Sequence, residues 1–193
     1  MASYNNPDGD CFTGESIITM KDGSKKPICE IILGNELYCC NSGIYSTVLC
    51  VVKIIKNIKN YSGTSKLVNV GKSTSKPWIT SYHPIRIDGV WKFPMDVNQP
   101  EIITGDSDGN LILYNLVLDK GHIVLINDIE CVTLGHNLQD DVVRHQFFGT
   151  NTIIDDLKTF DGWSDGHITL TDDNRTVIRD SNSNEVVKYE RIY

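Results

Sequence analysis

The chain has no apolar run long enough to cross a membrane as a helix. The longest is interrupted by Lys53, and none approaches the roughly 18 to 20 residues a span requires. No signal peptide is expected either, since the opening Met1–Asp10 segment carries no apolar run. The sequence therefore reads as a soluble fragment whose compartment stays open, and residues 1–10 read as the remnant of an upstream segment. No Cys-x-x-Cys pair occurs and no His stands near a Cys at ligand spacing, so neither a metal nor another cofactor is expected. Six cysteines (Cys11, Cys29, Cys39, Cys40, Cys50, Cys131) in 193 residues are too sparse for a disulfide scaffold and read as reduced core thiols, Cys11 excepted. Internal repeats, low-complexity segments and base-reading modules are absent too, which argues against a specific nucleic-acid partner.

Acidic residues are missing from one whole stretch. Residues 37–87 contain no Asp or Glu but carry Lys53, Lys56, Lys59, Lys66, Lys72, Lys76 and Arg86. That block is +7 within a chain of net charge −7, leaving −14 for the remainder. Two readings fit: a solvated basic face of a strand pair, or a docking surface for a polyanion such as a sulfated glycan or an anionic lipid.

What is present is mostly strand and turn. Short Val- and Ile-rich segments separated by turn residues run to about residue 134: Ser16–Met20, Leu37–Asn41, Val48–Asn57, Leu67–Val70, Trp78–Ser81 and Arg86–Lys92. Asp106–Gly109 between Glu101–Thr104 and Leu111–Tyr114 predicts a hairpin. Val117–Asp119, His122–Asn127 and Glu130–Leu134 complete a compact, mostly β domain over 11–137. Residues 138–193 read as a small C-terminal α+β appendage. Within it, a helix over 152–160, capped by Thr152 with Asp155, buries Ile153, Ile154, Leu157 and Phe160, and Thr176–Arg179 pairs with Glu185–Tyr189. The chain is expected to be monomeric.

Two short motifs carry chemistry. Cys11 sits close to the start, in Asp10-Cys11-Phe12-Thr13, and Thr80-Ser81-Tyr82-His83 follows about seventy residues later. A thiol is a strong nucleophile once its protons are managed, and His is suited to carrying protons near neutral pH. A buried small hydrophobe and a turn histidine would also fit these two residues taken singly.

Cys11-Phe12 with Ser16, Asp22-Gly23, Lys26-Pro27-Ile28, Glu30-Ile31 and Gly34 resembles the opening block of Hint domains, the self-processing domains shared by inteins and hedgehog proteins. Thr80-x-x-His83-Pro84 resembles the second block, and Tyr114–Leu118 with His122 and Asn127 the penultimate one. The ending Ile129–His136 and the extra tail are most similar to the Vint family, which couples a von Willebrand type A domain to a Hint domain. The resemblance implies a horseshoe-like Hint β fold and an upstream von Willebrand type A domain in cis. It implies cleavage of the Asp10–Cys11 bond: Cys11 sulfur attacks the Asp10 carbonyl, Thr80 holds the scissile amide and His83 protonates the leaving nitrogen. The thioester then passes to water, a thiol or an adduct. His122, Cys131 and Thr133 are expected beside the active centre.

Two departures narrow the expectation. Inteins end in His-Asn, but counting from Asn127 places that pair at Val132-Thr133, so His136-Asn137 is out of register and splicing is not expected. The hedgehog acidic residue that activates cholesterol falls at Lys53, and a lysine is no general base at pH 7 unless its pKa drops steeply. The tail, as an adduct-recognition-like region, is a candidate ligand surface. A chain cut after about residue 137 keeps all three catalytic candidates and is expected to keep cleaving if its core stays folded. The competing reading is a non-catalytic Hint-shaped binding module for an anionic glycan or lipid.

Overall fold

A computed structural model describes residues 11–40, 45–61, 65–70 and 78–193. Asp10, Lys72 and Lys76 lie outside the described residues. The strands are β1 (Phe12–Thr13), β2 (Ile17–Thr19), β3 (Lys25–Pro27), β4 (Glu36–Tyr38), β5 (Tyr45–Asn57), β6 (Ser65–Asn69), β7 (Trp78–Thr80) and β8 (Ile85–Ile87). They continue as β9 (Val90–Lys92), β10 (Glu101–Ile103), β11 (Asn110–Leu118), β12 (Ile123–Ile126) and β13 (Ile129–Val132). The last three are β14 (His167–Thr171), β15 (Arg175–Arg179) and β16 (Val186–Arg191). Two short α-helices, α1 (Pro94–Val97) and α2 (Asn151–Leu157), and 3-10 turns at Ile28–Glu30 and Ile58–Tyr61 complete the regular structure of the described residues.

The longest strand, β5, is the spine. Its thirteen residues are rich in Val and Ile, which suit a pleated surface buried on both faces. β11 runs antiparallel along one edge of β5, while β4 and the parallel strand β14 share the other. The resulting eight-stranded sheet has the order β10-β6-β7-β1-β11-β5-β14, with β4 also on β5. A six-stranded sheet, β3-β2-β12-β13-β8-β9, faces the second core, and β15 and β16 form a separate hairpin. The expected mostly β architecture is present.

Two local expectations are corrected. Glu101–Ile103 does not pair with β11 across the Asp106–Gly109 turn; it pairs with β6. The turn itself forms, with Asp106 Oδ1 accepting the Asp108 and Asn110 amides at 2.9 and 2.8 Å. Both edges of β11 are already taken by β5 and β1, so β10 must find another strand. Helix α2 is capped by Thr150 rather than Thr152: the Thr150 side chain accepts the Thr152 amide, and the helix begins one residue earlier than expected.

Residues beyond 137 are woven into the sheet and the core. β14 pairs with Val51–Ile55 of β5. The core cluster holding Cys11 has twenty described buried members, nine of them from this segment: Phe147, Phe148, Ile153, Leu157, Phe160, Ile168, Leu170, Val186 and Tyr189. The Tyr189 amide donates to Asp156 Oδ2 at 2.8 Å, pinning β16 to α2. Each large apolar side chain returned to water costs about 1.5–3 kcal/mol, against a net stability of about 5–15 kcal/mol for a domain. A chain ending at residue 137 is therefore expected to lose cooperative folding, and cleavage with it. Circular dichroism and a thermal melt check this, and a sharp melt in the truncated chain would show that 11–137 folds alone.

Candidate functional site

β1 enters the large sheet between β7 and β11, with Phe12 opposite Ile79 on one side and Tyr114 on the other. Consecutive strand residues point to opposite faces. Cys11 accordingly belongs to the core lined by the C-terminal segment, and Phe12 to the second core. Thr80 grips the Cys11 backbone at two points. Its amide donates to the Cys11 carbonyl at 3.1 Å, and its Oγ1 accepts the Cys11 amide at 3.0 Å. That nitrogen belongs to the Asp10–Cys11 peptide bond. Thr80 is completely buried, so this hydrogen bond does not compete with water.

The chain turns after β7, with the His83 amide donating to the Thr80 carbonyl at 3.1 Å. The His83 ring is fully buried and lies 4.2 Å, centroid to centroid, from Phe12. Its Nε2 is 2.9 Å from the Val132 carbonyl. A carbonyl can only accept, so Nε2 carries the proton and Nδ1 keeps the lone pair. Nδ1 is buried and has no hydrogen-bond partner among the described residues. Burial pushes the imidazole down to about 3, against the pull of the Val132 carbonyl and with a further push from His136. His83 is thus neutral at physiological pH.

The other predicted neighbours separate into two groups. Thr133 is buried; its amide donates to the His122 carbonyl at 3.0 Å, and its Oγ1 lies 3.4 Å from His122 Nδ1. Burial lowers the His122 pKa, and Asp119 partly offsets this. Cys131 stands with Phe12 in the second core rather than with Cys11, and burial raises its thiol pKa far enough to leave it unreactive. None of the six cysteines forms a disulfide.

Three buried polar side chains near this centre had no predicted role. Asn115 on β11 lines the same cavity as Cys11. His136 Nδ1 accepts the Leu138 amide at 3.0 Å, while its Nε2 is buried without a hydrogen-bond partner among the described residues. His145 Nδ1 accepts the amides of Phe147 and Phe148, both at 3.0 Å. Burial pushes both imidazoles down to about 4. His145 is a lone histidine in the tail and carries no motif; for His136 the available signal was its place at the end of Ile129–His136, between Gly135 and Asn137, which both adopt positive φ in the structure.

Cys11 is only 1% exposed. Its cavity of about 10 Å³ is closed by Val52, Ile54 and Leu134 and, from the C-terminal segment, by Phe148, Ile153, Leu157 and Tyr189. That is room for about one water. Larger depressions, of about 500 Å³ beside Arg191 and about 740 Å³ beside Arg86, are not lined by Cys11, Thr80 or His83. Asn137 is exposed and donates its side-chain amide to the Gly135 carbonyl at 3.1 Å.

The described members of the lysine block are spread rather than gathered. Lys53 and Lys56 lie on β5, opposite Tyr114 and Leu111 of β11. Lys59 reaches the Ser107 carbonyl at 3.4 Å, and Arg86 pairs with Glu130. Lys66 is on β6, separated from β5 by β7, β1 and β11, or about 19 Å at the usual strand spacing. Among the described residues no cluster of three His, Cys, Asp or Glu side chains could hold a metal ion.

None of the curated proteins compared with the chain matches it. Among solved structures, the chain is similar to a DnaB intein from Synechocystis sp. PCC 6803, at 14% identity and a TM-score of 0.44, over 65% of this chain and 100% of that one. It is also similar to a bacterial intein-like domain from Clostridium thermocellum, at 14% identity and a TM-score of 0.49, over 64% of this chain and 98% of that one. The gp41-1 intein matches at 16% identity and a TM-score of 0.42, over 65% of this chain and 100% of that one. The family model Vint, described as a Hint-domain, matches residues 10–188. That match takes in both cores and the C-terminal segment alike, and it makes the chain a member of the Vint family of Hint autoprocessing domains.

Proposed function

We propose that the domain cleaves its own Asp10–Cys11 peptide bond through a thioester. The observation that carries this reading is the buried Thr80 Oγ1 hydrogen bond to Cys11 nitrogen, the leaving atom of that peptide. A hydrogen bond that fixes this amide in a water-free setting favours its distortion and orients the nitrogen to receive a proton. The neutral His83 changes the expected order of proton transfers. Its Nδ1 lone pair, which has no hydrogen-bond partner among the described residues, first takes the proton of the Cys11 thiol through a bridging water. The sulfur then forms a bond to the Asp10 carbonyl carbon, the carbon–nitrogen bond breaks, and the same proton passes from Nδ1 to the departing nitrogen. In the second step water or a thiol adds to the thioester carbon, the sulfur–carbon bond breaks, and Cys11 regains a proton. The narrow, tail-covered cavity beside Cys11 favours such a small acceptor over a bulky adduct.

Mass spectrometry of the 193-residue chain with and without dithiothreitol tests this reading. A fragment ending at Asp10, released faster by thiol, is the expected product. Cys11→Ala is expected to abolish it, and His83→Ala to slow it by about a hundredfold or more, as for a lost acid–base group. A chain that stays intact under every condition would instead leave a Hint-shaped binding module. Asn137→Ala is expected to leave processing unchanged, because the exposed Asn137 amide is turned back onto Gly135. Loss of a cleavage product ending at Asn137 in that variant would restore an intein-like reaction.

The buried imidazoles give the fold a pH signature. His83, His136 and His145 have folded pKa values of about 3, 4 and 4, below an unfolded value of about 6.5. Above about pH 6.5 both states are neutral and stability is whole. Below it the unfolded chain takes up protons that the folded chain refuses, costing about 1.4 kcal/mol per pH unit for each histidine until the folded values are reached. Urea midpoints of the Cys11→Ala chain are expected to fall as pH drops from about 6.5 towards about 4. A flat profile would mean these rings are hydrated in solution.

A further inference from the structure

His136 lies outside the residues given roles so far, yet its surroundings match those of His83. Its Nδ1 accepts the Leu138 amide, so the lone pair there is occupied and the ring proton is fixed on Nε2. The turn that achieves this is specific: Gly135 and Asn137 adopt φ of 72° and 55°, bringing the Leu138 amide back onto the ring. Its other flank is the segment at Gly149, where an added Cβ would come within 3.0 Å of His136 Cε1 and 3.2 Å of Nε2. His136 thus presents a buried donor with no partner, while His83 presents a buried acceptor with no partner, among the described residues. Buried polar atoms are seldom left unsatisfied, and each that remains needs an explanation. The two rings are close enough for His136 to bear electrostatically on His83.

We propose that His136 is a positioning residue for the self-cleavage, its fixed Nε2–H holding the Nδ1 lone pair of His83 through one bridging water. The inference rests on the reading of His83 as the proton carrier. A donor on that lone pair orients the imidazole and keeps it neutral until the Cys11 thiol engages it. The groups that bear on His136 are His122, itself beside Asp119, and His145, itself beside Arg179. His83 meets Phe12, the Val132 carbonyl and His136. A donor to the lone pair disfavours protonation of His83, and so does a neighbouring imidazole. Removing His136 should therefore raise the pKa of His83, and both effects have the same sign.

The test compares His136→Leu, which loses the donor, with His136→Gln, whose side-chain amide restores one. Thiol-induced release of residues 1–10 is followed across pH by mass spectrometry. His136→Leu is expected to cleave about tenfold more slowly, the effect of one net hydrogen bond. Its acid limb is expected to move to higher pH, while His136→Gln stays close to the parent in both respects. Equal rates and limbs in all three chains overturn the proposal, as does a Gln variant as impaired as Leu with its acid limb unmoved. If His83→Ala cleaves at the parent rate, the underlying reading fails instead. If His83→Ala is inactive and His136→Leu is unaffected, only the role of His136 fails. Should His136→Leu not fold, long-range imidazole 15N spectra of the Cys11→Ala chain decide. His83 is expected as a single Nε2–H tautomer with the Nδ1 shift of a hydrogen-bonded nitrogen, and an Nδ1 shift typical of a bare lone pair overturns the proposal.

Discussion

A strand sends neighbouring side chains to opposite faces, and at β1 that rule decides the whole arrangement. Cys11 turns into one core and Phe12 into the other. Cys11 is then enclosed by the C-terminal segment, while His83 rests against Phe12 of the second core and the Val132 carbonyl. Thr80 joins the two halves, because its strand pairs with β1 and its turn leads directly to His83. Shifting the register of β1 by one residue would exchange the environments of Cys11 and Phe12 and dismantle the site.

Burial also sets the chemistry. A charged imidazole in an apolar interior is costly, so His83, His136 and His145 are held neutral. Backbone groups fix their tautomers: the Val132 carbonyl on His83, the Leu138 amide on His136, and the Phe147 and Phe148 amides on His145. The second core does the reverse for Cys131, whose raised pKa keeps it a thiol. One chain thus places cysteines in two cores, and the environment rather than the residue type separates their roles.

Much of this was legible in the sequence. The Val- and Ile-rich run of β5 announced itself, as did Cys11 and the Thr80–His83 turn, whereas Leu111–Tyr114 and Val117–Asp119, read as separate segments, belong to the region of one strand, β11. Pairing was less legible: the Asp106–Gly109 turn is a true turn, but β10 crosses to β6 because β11 has no vacant edge, a fact of the assembled sheet. The Thr150 cap was missed for a smaller reason, since Thr150 and Thr152 offer the same hydroxyl and only backbone geometry chooses between them. Asn115, His136 and His145 were illegible because each acquires its meaning from chains packed around it. The charge asymmetry of residues 37–87 was plain, but sheet order scatters its described lysines across several strands.

The parallel pairing of β14 with β5 bears on when the domain becomes competent. Cys11 leaves the ribosome well before Phe148, Leu157, β14 and Tyr189, which complete its enclosure. Contacts so distant in sequence are slow to form, since the loop between them must close before any of them stabilises the chain. During synthesis the Cys11 side chain therefore stays open to water until those contacts form. Distance along the chain becomes a delay, and the core around Cys11 closes only when nearly the whole domain has been made.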